Sequence, residues 1–394
     1  FQPLAPCPFA QSSLLPYALC SLPYAFQPLP SFFRLPPFSH SKLSSESIPL
    51  HRKMEEKTPG SMKADRKQDH IDLAFKADMA NKGPDDRFYY EPMMAGHPPA
   101  DLDLSLTFLG KTLNAPLWVS SMTGGTEMAY TINRRLAQSC AKFGLGMGLG
   151  SCRPLLDSLD RIKDFDVRDI IGPDLPLYAN LGIAQIEYML DQGSVDEIQT
   201  MIERLKADGL VVHINPLQEW LQPEGDFIVN SPIDTLDRLL DIVSFPVIVK
   251  EVGQGMGPNS TAAILKLPIS ALELAAHGGT NFSKLELLRS TGLQREVFEP
   301  VSRIGHTVGE MITWINELMD QDGGDILCKQ IIISGGIRDF LDGYYWMQKL
   351  NVPAVYGQAS GFLKYAAESQ DALDDYVSSQ LRGLQLAQYY LKAK

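Results

Sequence analysis

Eight short apolar runs, separated by stretches with helical spacing, constrain the fold of this chain more than any other feature. They occupy residues 115–122, 145–152, 176–182, 209–216, 245–253, 269–280, 330–336 and 354–359. Between most of them lie amphipathic segments such as residues 196–206 and 301–319, whose apolar residues recur at one face of a helix. Strands that alternate with helices predict right-handed βαβ units and a parallel sheet. Eight such units predict an α/β fold, the closed (β/α)8 or TIM barrel.

An open, doubly wound sheet is the alternative fold. That fold usually carries a G-x-G-x-x-G turn after its first strand, and no such turn follows residues 115–122. A strand number of eight also suits a closed barrel. We therefore predict a single barrel domain over residues 62–394.

The composition of the first 61 residues differs from that of the rest. Residues 1–45 contain no Asp or Glu, and ten of the 27 prolines precede residue 50. Proline fixes φ and lacks a backbone donor, so such a segment does not form regular helices or a core of its own. We predict that residues 1–61 are a disordered, low-complexity extension.

Two origins of residues 1–53 remain open. The segment is either an organelle-targeting sequence or translated sequence upstream of the functional protein. In the second case the functional protein would begin at Met54, the first methionine of the chain. Presequences are usually richer in arginine than this segment, which has only Arg34 and Lys42 before Glu46. We favour the second origin.

Charge, hydropathy and cysteine spacing exclude several classes of protein. The net charge of −12 argues against nonspecific nucleic-acid binding, which needs clustered Lys and Arg. No apolar run reaches the ~18 residues that span a bilayer. The five cysteines have no CxxC spacing, which is typical of reduced thiols and a cytoplasmic protein. An anionic ligand would need local cations or backbone N–H groups.

The fourth apolar run ends in an unusual group of polar residues. In residues 210–219, LVVHINPLQE, an apolar strand leads directly to His213, Asn215, Gln218 and Glu219. They could be satisfied core polar groups, with Pro216 simply ending the strand. In a barrel, however, the carboxyl ends of all strands converge on one face, where active sites lie. The other strand ends therefore decide the interpretation.

Most of the other strand ends are also polar or rich in glycine. Gly335 and Gly336 follow the seventh strand and Gln358 ends the eighth, where barrels often hold a phosphate. Lys250, at the fifth strand, could place a cation near the pyrimidine edge of a flavin. Each signal alone is weak, because Gly-Gly is often only a turn and a terminal Lys is often solvated. Their coincidence predicts FMN across the mouth of the barrel.

The chain from about residue 66 to residue 363 resembles the type 2 isopentenyl diphosphate isomerases, which are FMN-dependent barrels. The specific part of the resemblance is the Arg66-Lys67-x-x-His70 opening combined with the run from Asn215 to Glu219. Further matching motifs are residues 115–116, 121–125, 180–182, 249–253, 278–280 and 334–338. These motifs also fall at the predicted strand ends.

The resemblance implies an isopentenyl-diphosphate delta-isomerase. Its reaction would be a 1,3-proton shift between isopentenyl and dimethylallyl diphosphate. Reduced FMN would act as acid and base, Mg²⁺ would hold the diphosphate, and NADPH would be the reductant. FMN barrels commonly assemble, so a homo-oligomer, a tetramer or an octamer, is expected.

The resemblance also implies roles for particular residues. The catalytic residues would be His213 and Gln218. Substrate would be bound by Arg66, Lys67, His70, Arg153, His213, Asn215 and Gln218. FMN would be bound by Met122, Thr123, Gly124, Ser151, Asn180, Lys250, Thr280, Gly335, Gly336, Gln358 and Ala359. Mg²⁺ would be bound by Glu219, since one carboxylate plus substrate oxygens and water usually suffices.

For two of these assignments a second interpretation stays open. Arg66 and Lys67 suit a diphosphate, because a guanidinium and an ammonium can neutralise a dense anion, but they could also form a solvated basic tail. Gln218 either assists proton transfer or, since an amide is a weak acid, only orients the substrate.

Three positions depart from the family pattern. Cys152 stands where the family usually has Gln, so one hydrogen bond to substrate is in doubt. Ala275 stands where Ser is common, and residues 360–361 replace the usual Arg-Pro. These two departures put FMN contacts and flavin affinity in doubt.

Two other functions remain as alternatives. An FMN-dependent 2-hydroxy-acid oxidase or dehydrogenase would share the barrel, but it needs a His with an adjacent Arg after strand six or seven. His277 is a possible His, and no Arg accompanies it. A non-catalytic flavin-binding barrel is suggested by Cys152 and Ala275.

Overall fold

A closed barrel of eight parallel strands forms the centre of the described chain. The computed structural model describes residues 83–121, 127–322 and 324–394. Within these residues the barrel strands are β1 (Leu117–Val119), β2 (Gly146–Gly148), β3 (Leu177–Gly182), β4 (Gly209–Ile214), β5 (Val247–Glu251), β6 (Ala271–Glu273), β7 (Ile331–Ile333) and β8 (Ala354–Gln358). They pair in chain order, and β8 pairs with β1 to close the barrel.

Each barrel strand lies within one of the eight apolar runs, so the predicted (β/α)8 barrel is confirmed. The predicted extension, residues 1–61, and the first part of the predicted barrel domain, residues 62–82, lie outside the described residues. The boundary between them stays a prediction.

Helices follow most of the strands and surround the barrel. They are α1 (Glu127–Phe143), α2 (Pro154–Asp157), α3 (Arg168–Ile171), α4 (Ile183–Gln192), α5 (Asp196–Leu205), α6 (Pro216–Leu221), α7 (Pro232–Leu240), α8 (Pro258–Leu265), α9 (Phe282–Arg289), α10 (Leu293–Phe298), α11 (Val308–Asp322), α12 (Phe340–Lys349), α13 (Ser360–Glu368) and α14 (Gln370–Tyr390). Short 3₁₀ helices span Leu159–Asp164 and Glu299–Arg303. The helix predicted over residues 196–206 is confirmed as α5. None of the helices in the described ranges is long and apolar enough to cross a membrane.

The helix predicted over residues 301–319 begins later than the apolar spacing indicates. Helix α11 begins at Val308, and Thr307 and Glu310 form a capping box just before and within its first turn. The Glu310 carboxylate accepts hydrogen bonds from the Thr307 N–H, at 2.8 Å, and from its hydroxyl. The Thr307 hydroxyl accepts from the Glu310 N–H at 3.4 Å. This reciprocal capping satisfies donors that would otherwise be free, so the predicted start was wrong and the local cap sets it.

A β-hairpin covers the amino end of the barrel. Its strands, Leu106–Phe108 and Lys111–Leu113, are joined by Leu109 and Gly110, which have φ angles of 52° and 75°. Positive φ at both turn residues is what a type I′ hairpin turn requires. The Phe108 ring packs edge-on against the fully buried Trp118, with ring centroids 6.4 Å apart. The hairpin therefore closes the end of the barrel opposite the candidate site.

A second small sheet joins the two ends of the described region. Strand Phe88–Tyr90 pairs antiparallel with strand Leu391–Ala393. The hydroxyl of Tyr344 in α12 donates a hydrogen bond to the Leu391 carbonyl at 3.0 Å. The chain after α14 is thereby attached to the helical layer.

The inward face of the barrel changes from apolar to polar along the strands. Side chains alternate between the two faces of a strand, so every second residue points into the barrel. The lower inward residues form one apolar cluster, which contains Trp118, Tyr178, Val211, Ile248, Ala271, Ile332 and Val355. Two residues further along these seven strands stand Ser120, Asn180, His213, Lys250, Glu273, Ser334 and Gly357, and β2 contributes Gly148. The interior of the barrel is thus polar at its carboxyl end, above an apolar layer that we call the barrel floor.

Candidate active site

Two adjoining cavities occupy the carboxyl end of the barrel. The first, which we call the glycine-lined cavity, has a volume of about 440 Å³ and lies between the loops that follow β5, β6, β7 and β8. The second, the His213 cavity, has a volume of about 220 Å³ and lies over β2, β3 and β4. Among the described residues, those that line both are Ser121, Lys250, Val252 and Phe282. Ligands in the two cavities would therefore meet near Lys250.

Two Gly-Gly turns form one end of the glycine-lined cavity. Gly335 and Gly336 have φ angles of 91° and 75°, a region that favours glycine. A Cβ on Gly335 would lie 2.1 Å from the backbone N and O of Ala276, and one on Gly279 would lie 2.9 Å from the Gly336 nitrogen. Only glycine allows this contact, which brings bare peptide groups to the cavity wall. Such a wall is suited to a phosphate.

Several buried polar atoms of the same cavity lack a protein partner. Ser120 Oγ, Ser121 Oγ and Glu273 Oε2 are buried and have no hydrogen-bond partner in the described part of the chain. A buried polar atom left unsatisfied costs about 1–3 kcal/mol. The cavity therefore fits a ligand that carries several hydrogen-bonding groups besides a phosphate.

Lys250 provides a buried cation between the two cavities. It is 8% exposed, and its ammonium donates a hydrogen bond to the Glu251 carbonyl at 2.8 Å. In the sheet it lies beside His213 of β4 on one side and Glu273 of β6 on the other. Because β5 places it on the inward face, this cation can contact a ligand in either cavity.

The neighbouring Glu251 faces away from the barrel interior and holds the loop after β5. Its Oε2 accepts hydrogen bonds from the backbone N–H groups of Gly253, Gln254 and Gly255, at 2.6, 2.6 and 2.8 Å. Burial raises the pKa of this carboxyl group, and the three N–H groups oppose that rise. Glu251 thereby fixes the loop that carries part of the glycine-lined cavity.

His213 is held as a neutral ring. Its Nδ1 lies 2.7 Å from Asn180 Oδ1, and because an amide oxygen only accepts, Nδ1 carries the proton. Burial, with a smaller contribution from the Lys250 ammonium, lowers the pKa of His213 to about 3. Nε2 is then an acceptor at neutral pH. A Cβ on Gly182 would lie 2.8 Å from Nε2, so the glycine leaves room for the ring.

Glu219 is fixed at the edge of the His213 cavity. Its Oε1 accepts from Asn215 Nδ2 at 2.8 Å, and its Oε2 accepts from the Asp226 N–H at 2.8 Å. Asn215 is at the N-cap position of α6, without a side-chain capping bond, and lies one helical turn before Glu219, on the same face. Each carboxylate oxygen can accept a further bond, so Glu219 can still bind a cation.

A cation at this position would need ligands from outside the protein. The described residues contain no group of three His, Cys, Asp or Glu side chains that could hold a metal ion. Mg²⁺ is commonly bound by one or two carboxylates plus phosphate oxygens and water. Glu219 therefore fits a Mg²⁺ ion that arrives with a phosphorylated ligand.

Arg153 lies at the rim of the His213 cavity, paired with an acidic residue. Its Nη1 is 2.5 Å from Asp226 Oδ2, and the same oxygen accepts from Gln185 Nε2 at 2.7 Å. About half of the Arg153 side chain is exposed. This guanidinium is available to an anion only in competition with Asp226.

Gln218 projects from α6 into the His213 cavity. Its Oε1 accepts from Asn215 Nδ2 at 3.2 Å, and its Nε2 donates to Glu286 Oε1 at 3.4 Å. Glu286 is 3% exposed and is paired with Arg289. The Gln218 amide is therefore held in one orientation by partners at the N-cap position of α6 and on α9.

The structure brings together the predicted site residues that it describes, with a different division between the cavities. Five residues that were predicted to contact FMN line the glycine-lined cavity: Thr280, Gly335, Gly336, Gln358 and Ala359. Two other predicted FMN contacts, Ser151 and Asn180, line the His213 cavity together with Arg153, His213, Asn215, Gln218 and Glu219. Outside the described residues lie Arg66, Lys67, His70, Met122, Thr123 and Gly124.

Sequence reasoning missed several residues that line or support the site. Glu273 stands two residues after the inward Ala271, so strict alternation along β6 could have found it. Asp226 and Gln185 lie beyond the strand ends, and no sequence pattern points to their contact with Arg153. Phe282, which lines both cavities, follows the Gly-Gly-Thr turn and resembles an ordinary core residue of α9.

The departure at position 152 does not alter either cavity wall. Cys152 is fully buried in the core, and its thiol lies 3.4 Å from the Gly150 carbonyl. Burial raises the pKa of the Cys152 thiol to about 12. Ala275, by contrast, does line the glycine-lined cavity, as do Ser360 and Gly361.

The fold and the two cavities define the class of protein: a (β/α)8 barrel that can hold one phosphorylated ligand on its glycine loops and a second beside it. No protein-family model matches the chain. Isopentenyl-diphosphate delta-isomerase of Rickettsia felis is 36% identical over 82% of this chain and 91% of that protein. The enzyme of the same name from a Synechococcus species is 38% identical over 73% of this chain and 79% of that protein. The chain belongs to the isopentenyl-diphosphate delta-isomerase family, and its barrel fits type 2.

Solved structures with the same fold include a flavocytochrome b2 mutant with benzoylformate, at a TM-score of 0.53 and 11% identity. The match covers 78% of this chain and 76% of that one. A second flavocytochrome b2 mutant, with pyruvate bound, gives a TM-score of 0.52 at 12% identity, over 77% and 72%. At this identity the likeness shows the barrel fold alone.

His277, the candidate base of the 2-hydroxy-acid oxidase alternative, lines neither cavity. Its backbone N–H donates to the His306 carbonyl at 2.8 Å, and its side chain is half-buried. Among the described residues, His277 therefore lies outside the walls of the two cavities in which we place the candidate site.

Proposed function

We propose that this protein interconverts isopentenyl and dimethylallyl diphosphate by a 1,3-proton shift. The observation that carries the proposal is the position of Lys250 on the wall shared by the glycine-lined and His213 cavities. A cofactor in the first cavity and a diphosphate in the second would be adjacent there. The names of the relatives supply the substrate pair.

FMN is the proposed occupant of the glycine-lined cavity. The Gly278–Gly279 and Gly335–Gly336 turns suit its phosphate, and the unpartnered Ser120 and Ser121 hydroxyls suit its polar chain. Lys250 suits the pyrimidine edge of its ring, where negative charge collects on reduction. When bound and reduced, FMN supplies an electron-rich surface and a group that can exchange a proton with the alkene. NADPH is the proposed reductant.

The His213 cavity is the proposed substrate site. Glu219 holds Mg²⁺ against the diphosphate, while Asn215 and Asp226 keep its carboxylate in place. Cations that complete this site are proposed to come from Arg66, Lys67 and His70, which lie outside the described residues. Magnesium and these cations offset the charge of a diphosphate that a protein of net charge −12 would otherwise repel.

The remaining polar residues position the substrate. Neutral His213 donates its Nδ1 proton in a hydrogen bond to Asn180 Oδ1, which leaves Nε2 as an acceptor. The ring therefore adds no positive charge beside a cation-like transition state. Gln218 lines the same cavity, where its amide, hydrogen-bonded to Asn215 and Glu286, orients the alkene or assists the proton transfer. Both residues also exclude water from the reacting carbons. A homo-oligomer, a tetramer or an octamer, remains part of the proposal.

An anaerobic assay tests the proposal. The purified full chain is incubated with isopentenyl diphosphate, Mg²⁺ and FMN reduced by NADPH, and dimethylallyl diphosphate is followed by NMR. We expect product in the wild type and loss of Mg²⁺-dependent turnover in Glu219→Ala, which should still bind FMN. Glu203→Ala, at an exposed glutamate on α5, is the matched control and should behave as the wild type.

Two results would contradict the proposal. One is the absence of product from the wild type under these conditions although FMN is bound and reduced. The other is reduction of the flavin by lactate or mandelate with reoxidation by oxygen, which would support the 2-hydroxy-acid oxidase instead.

A further inference from the structure

Glu273 is a buried carboxylate with one free oxygen at the base of the glycine-lined cavity. It is the last residue of β6 and is 1% exposed. Its Oε1 accepts a hydrogen bond from Ser334 Oγ at 3.1 Å, and Ser334 Oγ in turn accepts from the Ala275 N–H at 3.0 Å. Its Oε2 has no partner within residues 83–121, 127–322 and 324–394. A buried carboxylate satisfied at only one oxygen is costly, which indicates that the missing partner arrives with a ligand.

The chemistry of a carboxylate restricts that partner to a hydrogen-bond donor. An ionised carboxylate only accepts hydrogen bonds, and it repels a phosphate. In oxidised FMN, the form that is titrated below, the donors are the hydroxyls of the ribityl chain and the ring N3–H group. A phosphate on the glycine turns would therefore lie beyond Glu273, and a donor-bearing part of the same ligand would lie over it.

The position of β6 distinguishes the two kinds of donor. Glu273 lies between Lys250 of β5 and the strand that leads to Gly335 and Gly336. If the phosphate occupies the glycine turns and the pyrimidine edge faces Lys250, the middle of the ligand passes over Glu273. That middle section is the ribityl chain.

We infer that Glu273 is a positioning residue that accepts a hydrogen bond from a ribityl hydroxyl of FMN through Oε2. The inference rests on the proposed function, because it takes FMN as the occupant of the glycine-lined cavity. Its consequence is that the site selects the cofactor by its polyol chain as well as by its phosphate. A flavin whose phosphate is carried on a plain alkyl chain should bind less well.

Flavin binding tests the inference without any measurement of turnover. The full-length protein, freed of flavin, is titrated with FMN and with a flavin that carries a terminal phosphate on a pentyl chain, and quenching of flavin fluorescence gives both dissociation constants. The ratio of the two constants is compared in the wild type, Glu273→Leu and Glu273→Gln. Glu203→Leu serves as the control and should keep the wild-type ratio.

We expect the wild type to prefer FMN, and the preference to fall by about 10- to 100-fold in Glu273→Leu, as for the loss of a charge-assisted hydrogen bond. Glu273→Gln keeps the shape and an acceptor but loses the charge, so its preference should fall by about 5- to 10-fold. This second variant decides the question if Glu273→Leu does not fold. An unchanged preference in the folded variants would overturn the role of Glu273 alone. A wild-type protein that does not bind FMN would overturn the proposed function as well.

Discussion

His213 allows a quantitative test of the electrostatics of the site. Its pKa is lowered to about 3 by burial and by the Lys250 ammonium, against an ordinary value of 6.5. Below pH 6.5 the unfolded chain takes up a proton at this residue and the folded chain does not. The folded state is therefore destabilised as the pH falls from 6.5 towards 3, and this loss is absent above pH 6.5.

The magnitude follows from the two pKa values. At pH 5 the unfolded ring is protonated and the folded ring is neutral, and 1.5 pH units at 1.36 kcal/mol each give about 2 kcal/mol. Because His213 is only half-buried, solvent lowers this figure, and about 1–2 kcal/mol is the working range. In His213→Gln this contribution is removed. The variant should therefore lose about 1–2 kcal/mol less stability than the wild type between pH 7.5 and pH 5.

Urea denaturation of both proteins at pH 7.5 and pH 5.0 measures this difference. His97, which is exposed, provides the control, since His97→Gln should keep the pH dependence of the wild type. The NMR signal of His213 should also stay in its neutral position down to about pH 4. Equal pH dependence in wild type and His213→Gln, or titration of His213 near pH 6.5, would refute the assigned burial and the effect of Lys250.

Three further measurements test the glycine-lined cavity, the barrel floor and the buried thiol of Cys152. Gly335→Ala, whose Cβ would lie 2.1 Å from Ala276, should weaken FMN binding at least tenfold and destabilise the fold by about 2 kcal/mol or more, while Gly96→Ala, with open space around it, should do neither. Trp118→Ala should cost about 3–5 kcal/mol in urea denaturation, because the ring is fully buried in the barrel, and a cost below ~1 kcal/mol would show that the floor can collapse. Cys152 should resist thiol reagents in the folded protein, since burial raises its pKa to about 12, and peptide mapping that finds it labelled before unfolding would contradict its placement in the core.

Much of the architecture could be predicted from the sequence, because it depends on local patterns. Buried parallel strands must be short and apolar, and helices between them must have one apolar face, so all eight barrel strands were visible as apolar runs. Once the barrel is inferred, chirality and closure bring the strand ends together, which placed His213, Lys250 and Gly335 at one face. The error at the start of α11 was also local, since the capping box of Thr307 and Glu310 was legible in the sequence.

The tertiary structure alone decided which polar groups contact one another. Asn180 meets His213 across 33 positions of the chain, and Arg153 meets Asp226 across 73. No periodicity encodes such pairs, because the Asn180–His213 contact depends on the register of two strands and the Arg153–Asp226 contact on how segments after different strands fold over the barrel. The tertiary structure also decided how far each group is exposed to solvent. Cys152 is buried in the core, burial keeps His213 neutral, and one buried oxygen of Glu273 has no partner among the described residues. Exposure sets the local dielectric and the available hydrogen bonds, and these depend on the packing of the whole barrel rather than on neighbouring residues in the sequence.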